Sequence, residues 1–201
     1  MKQWRDRQAA KLKEIDWNPK WRWRELLVPF AAWALSSAAF VALVRFAEIT
    51  GLRSVDYYNK AIEQAIGPVL WNVVGVIALS FFALTLIFPK SKSLAVISHH
   101  LLMATYLMGA MTIGILVAQY FFVVGQLRDY LHDWRTYFYL PLTFLLLLIV
   151  VAINTVVGYL AYLVFWSRSF LTIMAEFGFL IRAVVGIGLA SLVVWRLWVE
   201  P

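Results

Sequence analysis

From Thr136 to Ser167 the chain carries no charged residue, and from Ser93 to Leu127 again none. Uncharged apolar runs of this length constrain the fold more than any other feature. About 20 apolar residues in helical form cross the roughly 30 Å of bilayer hydrocarbon. Five runs are of that kind: Leu26–Val44, Ile66–Phe88, Leu94–Val124, Pro141–Trp166 and Phe177–Trp198. In hydrocarbon every backbone N–H and C=O must find its partner inside the protein, which makes these runs helices. The sequence therefore predicts an all-α integral membrane protein, a bundle of five transmembrane helices. Arg182 interrupts the fifth run, so four spans with a surface-lying last helix is the alternative. Pro29, Pro68 and Pro141 are expected in first turns, where a missing N–H costs little, and Pro89 closes the second span.

The net charge of +7 does not mark a nucleic-acid binder, because much of it sits in a head over residues 1–25. There Lys2, Arg5, Arg7, Lys11, Lys13, Lys20, Arg22 and Arg24 face Asp6, Glu14, Asp16 and Glu25. Positive residues stay on the cytoplasmic side of a membrane. With the head inside, Lys90, Lys92 and Arg168 join it, and they outweigh Arg45, Arg53, Lys60, Arg128, Arg135 and Arg196 on the other side. The expected setting is a bacterial inner membrane with a cytoplasmic N-terminus. Trp4, Trp17, Trp21 and Trp23 alternate with Arg22, Arg24 and the other basic residues of the head. This is the composition of an interfacial anchor on anionic lipid, or of a docking surface for a partner. In residues 54–66, Val55, Tyr58, Ile62 and Ile66 recur at helical spacing behind Ser54 and Asp56. They predict a short interfacial helix.

Chemistry finds little purchase. Cysteine is absent, which removes disulfides, thiolate metal sites and thiol nucleophiles together. His99 and His100 are helix neighbours pointing about 100° apart, so one metal or haem cannot take both. The third histidine, His132, falls between spans three and four, at the opposite membrane face. Interfacial hydrogen bonding or pH sensing is what the pair offers. No HExxH, GxSxG or Gly-rich phosphate loop occurs, and Ser98 cannot face its neighbour His99. The sequence predicts no catalytic residue, no cofactor and no metal.

Polar groups at membrane depth carry the remaining signal, since they are expensive there. Gly178, Arg182, Gly186 and Ala190 recur every four residues, so Arg182 shares a stripe with three small residues. Such stripes are where membrane helices approach closely. Asn154, Asn72 or an acid from another chain would then be its partner, unless the arginine reaches back to the headgroups. Ala34, Ala38 and Ala42 line the first span, Ala110, Gly114 and Ala118 the third, and Asn154 with Gly158 the fourth. Asn72, Gln119 and Asn154 would bond between helices or line a polar path.

The stretch "SHHLLMATYLMGAM", with His100, Leu101 and Tyr106 opening the third span, together with the basic head and paired spans two and three, resembles small five-span Yip-like bacterial membrane families. The resemblance covers residues 66–200 and departs at His99, where that group tends to carry an acid. It implies five helical spans and no activity. The expected role is a non-enzymatic membrane subunit or scaffold that self-associates or joins a complex, docking a membrane or cytosolic partner through its head. The alternative is an oligomeric channel or membrane-perturbing effector, such as the membrane component of a two-component defence system. A small transporter or lipid-acting enzyme ranks below both.

Overall fold

The computed structural model describes residues 10–18, 22–51, 66–125, 134–167 and 169–199, excluding the side chains of 66–69, 123–125, 134–136, 192–194 and 196–199. Among the described residues every regular element is helical. They are α1 (Trp23–Ile49), α2 (Ile66–Ile87), α3 (Lys92–Gly125), α4 (Trp134–Phe165), α5 (Phe170–Glu176) and α6 (Phe179–Val199). Four helices, α1 to α4, are long and apolar enough to cross a membrane. In α6 the apolar stretch within the described residues, Phe179–Ser191, is shorter than a span, so the five-span count stands at four on this measure. The expected interfacial helix over 54–66 lies almost wholly outside the described residues, as do Trp4, Trp21 and His132.

Two boundaries move against expectation. Helix α1 starts at Trp23 and α4 at Trp134, which leaves Pro29 and Pro141 inside their helices rather than in the first turns. Hydropathy marks where hydrocarbon begins, whereas the helical ladder continues into the headgroup zone, where backbone pairing is still favourable. Each proline thus removes one ladder bond a turn or two inside the helix. Pro68 is the third residue of α2 and Pro89 follows its end, as expected.

The chain packs as two units that cut across the long helices. The first holds residues 1–24, 72–105 and 157–201. Ala78, Phe82, Ala83, Leu102, Ala161 and Tyr162 are buried at its centre. The second holds residues 25–71 and 106–156. There Val41 and Val44 of α1 close on Ala118 of α3, with Ala38, Ala47 and Ile115 around them. Within both units, hydroxyls at membrane depth bond back to their own helices: Thr85 to Phe81 O at 2.8 Å, Thr105 to Leu101 O at 2.9 Å, Thr112 to Met108 O at 3.0 Å. This i−4 bond satisfies a donor that hydrocarbon cannot. Half of the α3 span window is buried, against 11% for α1 and α4. Helix α3 is accordingly a core element, while Leu35, Leu43 and Phe46 of α1 and Leu145, Leu146 and Leu148 of α4 stand exposed as a lipid-facing wall would.

Candidate functional site

The head is the first surprise. Residues 10–13 are helical and 16–18 are irregular, fastened to their own chain. The Ser167 hydroxyl donates to Asp16 O at 3.1 Å, and the Asp16 amide donates to Ser169 Oγ at 2.8 Å. Tyr159, three residues before Tyr162 on α4, donates its hydroxyl to Trp17 O at 2.8 Å. Tyr162 reaches Asn18 O at 3.2 Å and Asp16 Oδ2 at 3.3 Å. Ile15 is buried, the Trp17 ring meets Phe170 edge-on at 6.2 Å, and the Arg22 guanidinium lies 6.0 Å over the Trp166 ring. Lys11 pairs with Glu176 at 2.9 Å. That pair is exposed, so removing it changes stability by less than about 1 kcal/mol. The hydroxyl contacts carry more. Combining Tyr162→Phe with Ser167→Ala is expected to speed tryptic cleavage after Lys11 and Lys13 at least about tenfold, corresponding to ~1.4 kcal/mol of lost docking. Cleavage rates equal to the parent's would mean the head is held by its apolar contacts alone. Trp23 and Arg24, expected in the head, belong to the first turn of α1.

His99 lies in the same unit. It is buried on α3, its Nδ1 is 3.1 Å from Ala161 O of α4, and its ring stacks on Phe165 at 4.4 Å with Trp166 at its edge. The expected bond to headgroups is replaced by one to a neighbouring helix. His100, the next residue along the helix, is exposed. Ser98, the other neighbour, is fully buried with no hydrogen-bond partner for its Oγ among the described residues.

Arg182 finds a different partner from those predicted. Its Nη1 donates to Ile87 O at 3.1 Å. Ile87 is the last residue of α2, whose terminal carbonyls have no helical donor and carry the negative end of the dipole. Asn154 belongs to the other unit and Asn72 is exposed on α2. Gly186, one turn on, is the close-approach residue. A Cβ there would lie 2.5 Å from Ile87 Cγ1 and 3.0 Å from Ala83 O. Gly178 sits just before α6, where its carbonyl accepts from Ile181 N at 3.0 Å and from Arg182 N at 3.3 Å. Nothing lies within 4 Å of a Cβ at Gly178, and Ala190 is half-buried.

In the second unit the third-span stripe is filled from within the chain. Ala110 and Ala118 are buried, and a Cβ on Gly114 would overlap Ala34 O and Ser37 Oγ of α1. Ser37 Oγ lies 3.0 Å from both Ala34 O and Met111 O, tying the two helices at that crossing. Tyr106 donates to Leu26 O at 3.1 Å on the same seam. Asn154 of α4 is 0% exposed, and among the described residues neither its oxygen nor its nitrogen has a hydrogen-bond partner. Its amide packs onto Gly109 of α3, where a Cβ would stand 2.6 Å from Asn154 Cγ and 2.9 Å from Trp71 Nε1. Gly158, one turn along, is also buried. Gln119 takes no part there. It is half-buried and lines a groove between α3 and α4. Sequence reasoning missed the residues that fasten the head, Tyr159, Tyr162 and Ser167 as donors and Ser169 as acceptor, together with Gly109 and Ser37. Only the i, i+3 tyrosines at a span end gave any signal for them.

Four helices long and apolar enough to cross a membrane define the class: a multi-pass α-helical integral membrane protein. No protein-family model, curated protein or solved structure matches the chain.

Proposed function

We propose that the chain is a non-enzymatic membrane subunit that works by association within the bilayer, with copies of itself or with another membrane protein. The observation that carries this reading is the outward face of α1. The inward row, with Ala34, Ser37, Val41 and Val44, is occupied by α3, yet a second small-residue row, Ala32, Ser36 and Ala39, is exposed. Small residues spaced three and four apart on one helix face let a further helix approach closely, and the chain itself uses that face for nothing among its described residues. The fastened head holds Trp17 against Phe170 and Arg22 over Trp166, on the side proposed to be cytoplasmic, where a partner or anionic headgroups would meet it. The proposed setting is a bacterial inner membrane.

Five crossings are part of the proposal. From Arg182 beside Ile87 to Gly186 beside Ala83, α6 advances as α2 recedes. Helix α6 therefore runs back along α2, and its 21 residues extend about 31 Å, enough to traverse the hydrocarbon. This accords with the five-span Yip-like resemblance. The channel or effector reading has less support, because Arg182 is bonded to a main-chain carbonyl of α2 and Asn154 is packed onto Gly109 of α3.

The absence of cysteine makes the test clean. Ser36→Cys, oxidised in native membranes, is expected to give a covalent dimer, or a covalent adduct with one companion when a thiol-reactive crosslinker is used. Leu84→Cys, exposed on α2, is the control. A Ser36→Cys protein that crosslinks no better than Leu84→Cys would overturn the reading.

A further inference from the structure

Gln119 is the polar residue at depth that the proposed function leaves without a role, and its surroundings give it one. The groove that it lines has a volume of about 410 Å³. Its walls are Leu116, Gln119 and Tyr120 of α3 and Thr143, Leu147 and Val150 of α4, among others. Both helices are candidate spans, so whatever fills the groove comes from the bilayer side. Tyr120 is braced there by Phe144, ring centroids 6.1 Å apart.

Polarity is graded along the groove. Gln119, Tyr120 and Thr143 lie towards the α3 C-terminus and the α4 N-terminus; Leu116, Leu147 and Val150 lie deeper. The Thr143 hydroxyl is already used, donating to Tyr139 O at 2.8 Å, which leaves the Gln119 amide and the Tyr120 phenol to offer hydrogen bonds. Gln119 is six residues from the end of α3, about 9 Å along the axis, the level of the boundary between headgroup and hydrocarbon. No charged side chain lines the groove, so its occupant is uncharged at that point.

Size selects between the two apolar occupants a bilayer provides, a helix and a hydrocarbon chain. From Leu140 to Val150 the groove runs about 15 Å, which leaves it a mean cross-section of about 27 Å², near a third of the ~80 Å² of a helix 10 Å across. A partner helix would rest on the rim. A single hydrocarbon chain fits inside. Its volume also falls in the range of small-molecule sites.

We infer that the α3–α4 groove holds one acyl chain of a membrane glycerolipid, with the ester carbonyl hydrogen-bonded at Gln119 and Tyr120 and the chain running down Leu116, Leu147 and Val150. The inference rests on the membrane class and is independent of the association proposed for α1.

The test uses the full chain reconstituted in phosphatidylethanolamine and phosphatidylglycerol vesicles doped with a phospholipid carrying a diazirine in mid-acyl chain. After photolysis, adducts are mapped by peptide mass spectrometry. Labelling per exposed residue at Leu116, Leu147 and Val150 is expected to exceed that on the α1 wall, at Leu35, Leu43 and Phe46, by about tenfold. Leu147→Trp fills the groove and should bring its labelling down to the wall's level, with α1 labelling unchanged. Gln119→Leu keeps the groove open and removes the carbonyl's partner, so its labelling should drop severalfold. Equal labelling of groove and wall, or groove labelling unchanged in both variants, would overturn the assignment. So would labelling by a diazirine fatty acid with none by the phospholipid.

Discussion

Gly114→Val is expected to lower the thermal unfolding midpoint of the detergent-solubilised protein by on the order of 10 °C, from an overpacking cost of about 3 kcal/mol. The atoms in the way are backbone: a Cβ on Gly114 overlaps Ala34 O, with Ala34 C at 2.8 Å. Backbone of a packed helix yields only if the whole helix moves. Helix α1 would have to withdraw from α3, breaking the Ser37–Met111 bond and opening the Val41, Val44 and Ala118 contact. Gly188→Val is the matched control, because nothing lies within 4 Å of a Cβ at that position. It puts the same residue type into a helix of the same chain without a collision. Similar midpoints for the two variants would mean that α1 and α3 do not cross at Gly114.

Gly109 and Asn154 are expected to be coupled, with an interaction energy of about 1.5 kcal/mol in a double-mutant cycle. In the parent, Gly109→Ala places a methyl group on the Asn154 amide and beside Trp71 Nε1. The intrinsic helix gain of Ala over Gly, roughly 0.5–1 kcal/mol, is outweighed, and the variant is destabilised by about 1–2 kcal/mol. With Asn154→Ala already in place the obstruction is gone, and adding Gly109→Ala should change stability by close to nothing. Asn154 is informative for a second reason. Its amide is fully buried with both polar atoms unpartnered, a costly arrangement in an apolar interior. Asn154→Ala alone therefore costs less than truncation of a buried side chain of that size ordinarily would. Equal destabilisation by Gly109→Ala in both backgrounds would remove the contact from consideration.

The small-residue stripes illustrate how far sequence reasoning reaches. Ala110, Gly114 and Ala118 are legible because a four-residue repeat places them on one face of any helix, whatever the tertiary structure. That they meet Ala34 and Ser37 of α1 is not legible, since apolar helices in lipid offer each other many equivalent grooves. At Arg182 the repeat is used in part: Gly186 lies against Ile87 and Ala83 of α2, whereas a Cβ at Gly178, just before α6, would meet nothing within 4 Å. The arginine's partner is a main-chain carbonyl at the end of α2, and carbonyls carry no residue label that a search for polar mates could find.

The head follows the same logic. Trp and Arg in alternation predict residues for the edge of a membrane. The fastening of residues 16–18 runs largely through their backbone oxygens and the Asp16 amide, so any sequence there would present much the same groups. The side chains that fasten it lie about 150 positions away in the chain, where two tyrosines and two serines read as ordinary span-end residues.

By itself the sequence determined that this protein is helical and membrane-embedded, because uncharged runs long enough to cross hydrocarbon admit no other backbone solution. It also determined where those runs end, through proline and charge. Only the tertiary structure decided that the head folds back, that Arg182 caps α2, that His99 sits between helices, and that a groove opens between α3 and α4 beside Gln119. Each of these depends on which helix face meets which, and in lipid that choice is made by close packing and by main-chain hydrogen bonds. Neither leaves a pattern in the order of the residues.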